Sequence, residues 1–258
     1  MAGGLRTTPP DLVDVALLAE VSHAVRDVVE AVFATVTETA AACEALLAAV
    51  SAEGRRPNSA DLAALRPDLH SRLHRHELVS GLGFVAATDL LTDTTGWLEW
   101  WQIDATGRVT PLVLDGSHSP FADYTHWDWY ARPRDTGRRI VAGPYVDYLC
   151  SDEYSLTLSL PVSLDGRFAG VAAADVYLRH FEAATAPFLR RLPVPARVVN
   201  SRGRVTASTD PHHLVGSLTK GFDFTPPAAV QPPTPAVHNG LALLPCAGTS
   251  LLLVTSAH

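Results

Sequence analysis

Aromatic side chains crowd into one part of this chain. All five tryptophans lie between positions 97 and 129, and five of the six tyrosines lie between positions 124 and 154. Downstream, Asp175 follows three alanines in a predicted strand, and alternation places it on the same face as Ala173. A carboxylate on such a small-residue face is costly to bury unless it is paired. Beside aromatic rings it suits a positively charged ligand, which would gain charge pairing and cation–π attraction.

The tryptophans can instead be explained as core residues. In a predicted strand over 96–104, alternation sends Trp97 and Trp101 to one face and Trp100 to the other. In this alternative the rings fill the interior, and Asp175 accepts hydrogen bonds from backbone amides. The residues alone leave both alternatives open, a pocket for a cation or a packed core.

Sequence motifs give no support for an enzyme. The chain has no GxSxG, HExxH, P-loop or strand-following GxGxxG pattern. Two histidine pairs, His74 with His76 and His212 with His213, lack the further ligand spacing that a metal site needs. We therefore predict no catalytic residue, no metal site and no cofactor.

The cysteines do not predict a cross-link or a zinc site. Cys43, Cys150 and Cys246 are odd in number, far apart in sequence and without a CxxC pair. Such a pattern predicts buried free thiols.

The composition of the chain limits its location and its partners. Its 258 residues are 47% hydrophobic and 18% charged, with a net charge of −7, which is typical of a globular protein. The negative charge argues against binding to nucleic acid and against docking on an anionic membrane surface. The start lacks a basic leader followed by an apolar core, and apolar stretches such as 40–50 are too short to cross a bilayer. We therefore expect a soluble, cytoplasmic protein without membrane contact.

Hydrophobic periodicity predicts an α+β fold. Apolar residues three and four apart predict a helix over 11–50, and a shorter helix follows over 59–77. We expect the long helix to pack on a mostly antiparallel sheet of five to six strands, with a small strand-rich part at the C-terminus. The strands are predicted over 81–88, 96–104, 108–114, 138–142, 154–162, 167–177, 194–200, 204–208, 241–244 and 250–255, with a helix over 178–191 and a proline-rich linker over 225–236.

Four motifs, in their order and spacing, resemble the ligand-binding module of Cache-type sensor domains, the PAS-like extracellular sensors of bacterial chemoreceptors and kinases. The motifs occupy residues 127–131, 143–147, 155–162 and 170–176, and the resemblance runs from about residue 80 to 180. Residues 194–216 are similar to the start of the second, membrane-proximal module of double-Cache domains, which would be truncated here. The resemblance implies a PAS-like sheet and three segments: two helices over 1–78, a ligand-binding domain over 79–192 and a truncated second subdomain over 193–258.

The resemblance also implies a ligand pocket. In amino-acid-binding members of the family, the acids and tyrosines of the pocket hold the amine of the ligand. The positions that match that pocket here are Trp129, Tyr130, Tyr145, Asp147 and Asp175. We add four neighbours as candidate ligand-binding residues, Trp101, Tyr124, Trp127 and Thr157.

Trp127 is where the chain departs from those relatives, which carry at this position an arginine that binds the ligand carboxylate. An aromatic ring cannot pair with a carboxylate. The departure favours an amine or a quaternary ammonium ligand, as in the related amine-sensing subset of the family. Because Arg132, Arg134 or Arg138 can replace the missing arginine from another angle, an α-amino acid is the second expectation.

A sensor of this kind needs a route for its signal. Because no attached signalling domain is visible, we expect output through a separate regulatory protein or through self-association. The helix over 11–50 is the predicted homodimer interface, and its alternative role is to cover the sheet. Two other functions stay open: an enzyme that uses Asp147 or Asp175 as a general base on an amine, and an interaction scaffold whose pocket is filled by tryptophan side chains.

Overall fold

A helix of 38 residues, α1 (Val15–Ala52), begins the part of the chain that the structure describes. The structure is a computed structural model, and it describes residues 14–104, 106–112, 124–146, 153–219, 236–238, 240–246 and 248–256. These residues form two compact units, one from 1–28 with 182–258 and the other from 29–181. Each unit has its own antiparallel sheet, and α1 contributes residues to both.

The unit formed by 29–181 is built on a six-stranded sheet with the strand order β3-β2-β1-β6-β5-β4. Every neighbouring pair in it is antiparallel. The turn between β5 and β6 places Asp165 and Gly166 at positive φ, which suits a tight two-residue hairpin. The strands are β1 (Gly81–Ala86), β2 (Leu98–Ile103), β3 (Val109–Pro111), β4 (Ile140–Val146), β5 (Tyr154–Leu164) and β6 (Arg167–Tyr177).

Short helices accompany this sheet. The helix predicted over 59–77 is divided into α2 (Ser59–Leu62), a 3-10 turn (Ala63–Leu65) and α3 (Arg66–Arg75). Proline favours the first turn of a helix because its ring fixes φ and it has no N–H to lose, and a proline occupies this position in α3. The remaining helices are α4 (Asp128–Thr136) and α5 (Leu178–Leu189).

Within the same unit, α1 packs through one apolar face. Phe33, Val36 and Leu47 of this face are almost completely buried. At the helix surface, the guanidinium of Arg139 forms an ion pair with Glu30 and lies 4.3 Å from the centre of the Phe33 ring. The helix therefore covers hydrophobic surface, as its spacing of apolar residues predicts.

The unit formed by 1–28 and 182–258 contains a five-stranded antiparallel sheet with the order β8-β7-β11-β10-β9. The Ser22 hydroxyl of α1 donates a hydrogen bond to the Pro245 carbonyl at 3.0 Å, which ties the helix to this sheet. The strands are β7 (Ala196–Asn200), β8 (Val205–Ser208), β9 (Ala236–His238), β10 (Leu241–Pro245) and β11 (Leu251–Ser256).

The predicted fold class is confirmed: a long N-terminal helix, an antiparallel sheet of six strands and a smaller strand-rich part. The ends of several other elements shift by a few residues, and two differences change the strands themselves. Strand β4 continues through Val146 instead of ending at Ala142, because a bulge carries it past a glycine. Strand β9 begins at Ala236, the last residue of the predicted linker. The segment boundaries at 78/79 and 192/193 stay a prediction.

Two of the three cysteines are buried free thiols, as predicted. Burial raises the pKa of Cys43 and of Cys246 to about 12, so both thiols stay protonated. Cys150 lies outside the described residues.

A buried carboxylate connects α3 to the sheet. Glu99 on β2 is 3% exposed, and it accepts a hydrogen bond from the Arg66 guanidinium at 2.9 Å. The indole N–H groups of Trp101 and Trp97 also donate to it, at 2.8 and 3.4 Å. In turn the carboxylate raises the pKa of Arg66.

Replacing Glu99 with glutamine should lower the free energy of unfolding by about 2 kcal/mol. The amide turns one acceptor oxygen into a donor that faces other donors, and a buried donor left without an acceptor costs about 1–3 kcal/mol. Urea unfolding of Glu99→Gln measures the change. The matched control is Glu38→Gln, which breaks an exposed ion pair with Arg75 and should cost less than about 1 kcal/mol. Equal losses in the two variants would show that Glu99 contributes no more than a surface pair.

Candidate functional site

Asp175 lies near the end of β6, on the face of the sheet that is lined by small residues. Its neighbours in register are Gly81 on β1 and Thr157 on β5. Paired residues of adjacent strands project to the same face, so these three positions lie side by side. The next pairs on this face join Ala173 to Gly83 and to Ser159, all of them small. The carboxylate of Asp175 therefore has only small residues beside it on this face of the sheet.

Two hydroxyl groups link this carboxylate to an aromatic ring. Asp175 is 7% exposed, and its Oδ1 accepts a hydrogen bond from the Thr157 hydroxyl at 2.5 Å. The hydroxyls of Tyr145 and Thr157 form the next hydrogen bond. Since threonine gives its one hydrogen to Asp175, the Tyr145 hydroxyl is the donor in that bond. The chain of donors is aimed at the carboxylate, which stabilises its charged form.

A β-bulge brings Tyr145 to this position. The register between β4 and β5 shifts between Ala142 and Tyr145, and Gly143 inside the bulge has a φ of 99°. A residue with a side chain would be strained there, and its Cβ would lie 2.7 Å from the Ser155 carbonyl. Bulges redirect side chains, and this one turns Tyr145 toward Thr157.

An aromatic cluster packs against the same face of the sheet. Tyr124, Trp129 and Tyr130 are each less than 8% exposed, and their ring centres are 5.4–6.1 Å apart. Ser159 of β5 fixes the cluster by donating its hydroxyl hydrogen to the Trp129 carbonyl at 2.6 Å. Burial raises the pKa of Tyr130 to about 12, so this phenol stays neutral.

Trp127 lies between the aromatic cluster and Tyr145, the first member of the hydrogen-bonded chain that leads to Asp175. Its ring centre lies 6.1 Å from that of Tyr145 and 6.4 Å from that of Trp129, edge to face in both pairs. It is the N-cap residue of α4 and has an extended backbone. Both rings of the Trp127–Tyr145 pair are half-buried.

Seven of the nine predicted site residues therefore lie on one face of the sheet or against it: Tyr124, Trp127, Trp129, Tyr130, Tyr145, Thr157 and Asp175. The structure places Trp101 elsewhere, because alternation along β2 directs it to the opposite face, where it binds Glu99 and contacts the His70 ring. Asp147 lies outside the described residues.

The three arginines that were candidates to bind a ligand carboxylate are all exposed. Arg132 lies 3.9 Å from Asp128, and Arg134 forms an ion pair with Asp135 at 2.7 Å. Arg134 also lies over the outer side of the Tyr130 ring, 5.9 Å from its centre. Arg138 extends from the turn after α4 and is exposed as well.

Trp100 and the glycines beneath it were missed as site residues. The indole lies over Gly83 and Gly81, so close that a Cβ at either position would come within 3.0 Å of it. Trp100 is 5% exposed and packs in the aromatic cluster with Trp129 and Ala173. The sequence could have predicted this packing, because Gly81 and Gly83 lie two positions apart in a strand and together leave room on one face for a large ring.

The arrangement is suited to holding a cation away from bulk water. A buried carboxylate, two hydroxyls and the faces of several rings can satisfy an ammonium group by hydrogen bonds and by cation–π attraction. Among the residues that the structure describes, no group of three or more His, Cys, Asp or Glu side chains could hold a metal ion.

Comparison with known proteins connects this geometry to sensory domains. Residues 112–183 match the family model of the first PDC sensor domain of proteins similar to methyl-accepting chemotaxis proteins. The methyl-accepting chemotaxis protein TlpQ of Pseudomonas aeruginosa (strain PAO1) is 26% identical over 129 residues, which cover 43% of this chain and 18% of that protein. The chain therefore spans less than a fifth of the length of this curated relative.

Solved structures show the same fold. The extracellular domain of mmHK1S-Z2, described as a histidine kinase, superposes with a TM-score of 0.60 at 15% identity, covering 94% of this chain and 95% of that one. The ligand-binding domain of the P. aeruginosa PAO1 amino-acid chemoreceptor PctC, in complex with GABA, gives a TM-score of 0.53 at 18% identity, covering 93% and 99%. The chain thus has the Cache/PAS-like fold of chemoreceptor sensor domains. These relatives are sensory domains rather than enzymes, in agreement with the expectation from the motifs.

The expected cytoplasmic location is wrong. The family model and the curated relative are from chemoreceptors, and the histidine kinase domains of this fold are extracellular. By length and composition, helix α1 is also able to cross a membrane, although 44% of its most apolar stretch of 18 residues is buried in the protein. The prediction that no stretch is long enough considered short apolar runs such as 40–50, whereas α1 runs unbroken for 38 residues.

Proposed function

We propose that this chain is the ligand-binding part of a sensor and that it recognises a small molecule with a positively charged amine or quaternary ammonium group. The observation that carries the proposal is the Asp175 carboxylate, which is buried, charge-stabilised by the Thr157 and Tyr145 hydroxyls, and flanked by an aromatic cluster. A buried carboxylate among rings gains most from a cationic partner.

Trp127 favours an amine ligand over a ligand whose carboxylate group must pair with a positively charged side chain. Its ring faces Tyr145, and the three nearby arginines of α4 and the following turn are exposed. A neutral ring adds area for cation–π contact and offers no charge to an anion.

An amino acid remains the second candidate ligand. The PctC domain with the same fold is an amino-acid chemoreceptor domain in complex with GABA, a compound that also carries an amine. At 18% identity this likeness shows the fold alone, so the ligand of this chain has to be measured.

A thermal-shift screen separates the two candidates. We expect primary amines and quaternary ammonium compounds to raise the unfolding temperature, because a ligand at a hundredfold excess over its Kd stabilises by about 2.7 kcal/mol. Stabilisation by ordinary α-amino acids but not by amines would overturn the interpretation of Trp127. Failure of both classes would favour the scaffold alternative, in which the rings are core.

A homodimer through the helix predicted over 11–50 and a separate regulatory protein stay predictions. The exposed face of α1 carries alanines spaced three, seven and four apart, a spacing that supports close contact between helices. They are Ala31, Ala34, Ala41 and Ala45. Location on the outer side of a membrane is proposed by analogy with the sensor domains of this fold.

A further inference from the structure

Trp100 holds a hydrogen-bond donor for which the described part of the chain provides no acceptor. Its side chain is 5% exposed, and its indole Nε1–H is buried without a partner. The neighbouring indoles of Trp97 and Trp101 both donate to Glu99 on the other face of β2. Leaving a buried donor unpaired costs about 1–3 kcal/mol, so an unpaired group of this kind needs an explanation.

The position of this N–H relates it to Asp175. Nε1 is the atom nearest to the point above Gly81 where a Cβ would stand, 3.0 Å away. Gly81 is paired with Asp175, and paired side chains on one face have Cβ atoms about 4.5–5.5 Å apart. The indole nitrogen therefore lies at most about 7.5–8.5 Å from the Asp175 Cβ, on the same side of the sheet.

A separation near this upper limit fits one small ligand with two polar ends. An ammonium group hydrogen-bonded to the carboxylate, and an oxygen hydrogen-bonded to Nε1, would each use about 3 Å of it. The remainder is the length of a short carbon chain. Glycine at position 81 lets the indole lie against β1, since any side chain there would touch the ring.

We propose that Trp100 is a specificity-determining residue whose indole N–H binds a neutral oxygen of the ligand, a hydroxyl, ether or carbonyl, while Asp175 binds its cationic end. This inference rests on the proposed function and narrows the ligand to a short amino alcohol or a similar oxygen-bearing amine. A carboxylate fits poorly, because one neutral donor does not compensate a buried negative charge close to Asp175. A plain alkyl amine leaves the N–H unpaired.

Matched ligand pairs test the proposal by calorimetry on the full chain. The probes are 2-aminoethanol against propylamine, 4-aminobutan-1-ol against pentylamine, and choline against trimethylpropylammonium, in which a hydroxyl and a methyl group exchange places. We expect the wild-type protein to prefer the oxygen-bearing member of at least one pair. In Trp100→Phe the ratio of the two affinities should fall about fivefold, because the loss of one neutral hydrogen bond weakens binding by about that factor. Affinity for the alkyl member should change little. Trp97→Phe, which removes an indole N–H directed to Glu99, should keep the preference.

Each other result overturns the proposal. Binding of the alkyl amines without a preference in the wild type, or an equal loss for both members of a pair in Trp100→Phe, refutes the role of Trp100 and leaves the amine function standing. Binding of no probe refutes both. If Trp100→Phe does not fold, the indole ¹H–¹⁵N resonance of the wild type, assigned by its contacts with Gly81 and Gly83, decides the matter. It should move downfield with the oxygen-bearing probe and not with its alkyl partner, and an equal response to both contradicts the proposal.

Discussion

Asp175→Asn should reduce the stabilisation of this protein by its ligand to about half or less. The substitution keeps the size and shape of the side chain, removes the charge and turns one acceptor oxygen into an amide donor, so it removes the pairing with a cation while one oxygen can still accept from Thr157. Hydrogen bonds to charged groups contribute about 1.5–3 kcal/mol, which corresponds to a 10- to 100-fold loss of affinity. A ligand at a hundredfold excess over its Kd for the wild type would then stabilise the variant by about 0.4–1.4 kcal/mol instead of 2.7.

The control for this variant is Asp165→Asn. Asp165 is an exposed residue in the turn between β5 and β6, so the substitution changes the net charge equally without touching the site. Asparagine also tolerates the positive φ at this position. Thermal shifts of both variants with the best amine from the screen make the measurement. If the ligand raises the unfolding temperature of Asp175→Asn as much as that of the wild type, the ligand does not bind at this carboxylate.

The residues that make the site were largely predictable, because they are carried by local motifs. The strand that ends in Asp175 and the segment around Trp129 stand in the expected places, and Thr157 lies beside Asp175. What local motifs do not contain is the pairing of distant strands. Gly81 is 94 positions from Asp175 in sequence and its direct neighbour in the sheet. Only that register shows which face of β2 meets the carboxylate, and hence that Trp100 and not Trp101 lies on the same face as Asp175.

Alternation along β2 predicted which tryptophans share a face, but not which of the two faces lies toward Asp175. It correctly placed Trp97 and Trp101 together, opposite Trp100. Glu99 between them was a usable signal, because a carboxylate flanked at two-residue spacing by indole donors can collect both N–H groups. A tryptophan whose N–H is already bound in this way is less available for a ligand.

Hydropathy could not decide the environment of α1. A helix that covers a sheet and a helix that enters a bilayer both need apolar side chains, so composition satisfies either. Its buried positions, such as Val25, Val36 and Leu47, are consistent with packing in the protein. The expectation of a cytoplasmic protein was based on the absence of a visible leader and on apolar runs too short to cross a bilayer, such as 40–50, and it failed because it did not consider the whole of the long helix.

Gly83→Ala should destabilise the protein by about 3 kcal/mol or more. A Cβ at this position would lie 2.8 Å from the Trp100 Cα and closer still to the Glu99 carbonyl oxygen, and real Cβ atoms do not approach backbone so closely. A flexible side chain could move aside, but β2 cannot retreat without breaking its pairing with β1. Overpacking in a core costs about 1–3 kcal/mol when side chains can adjust, so a collision with backbone belongs at the upper end or beyond.

Gly107→Ala is the control that separates lack of space from backbone strain. Gly107 has a φ of 80°, where alanine is strained, but nothing lies within 4 Å of its Cβ position. The free energy of unfolding of Gly107→Ala should therefore fall by about 1–2 kcal/mol, the cost of placing an L-residue in the left-handed conformation. Gly83 differs because its backbone conformation is one that alanine adopts without strain. If space were available there, alanine would stabilise the protein by up to about 1 kcal/mol, because it lowers the conformational entropy of the unfolded chain. Urea unfolding that finds Gly83→Ala as stable as the wild type would mean that β1 and β2 are not as close as the Trp100 site requires.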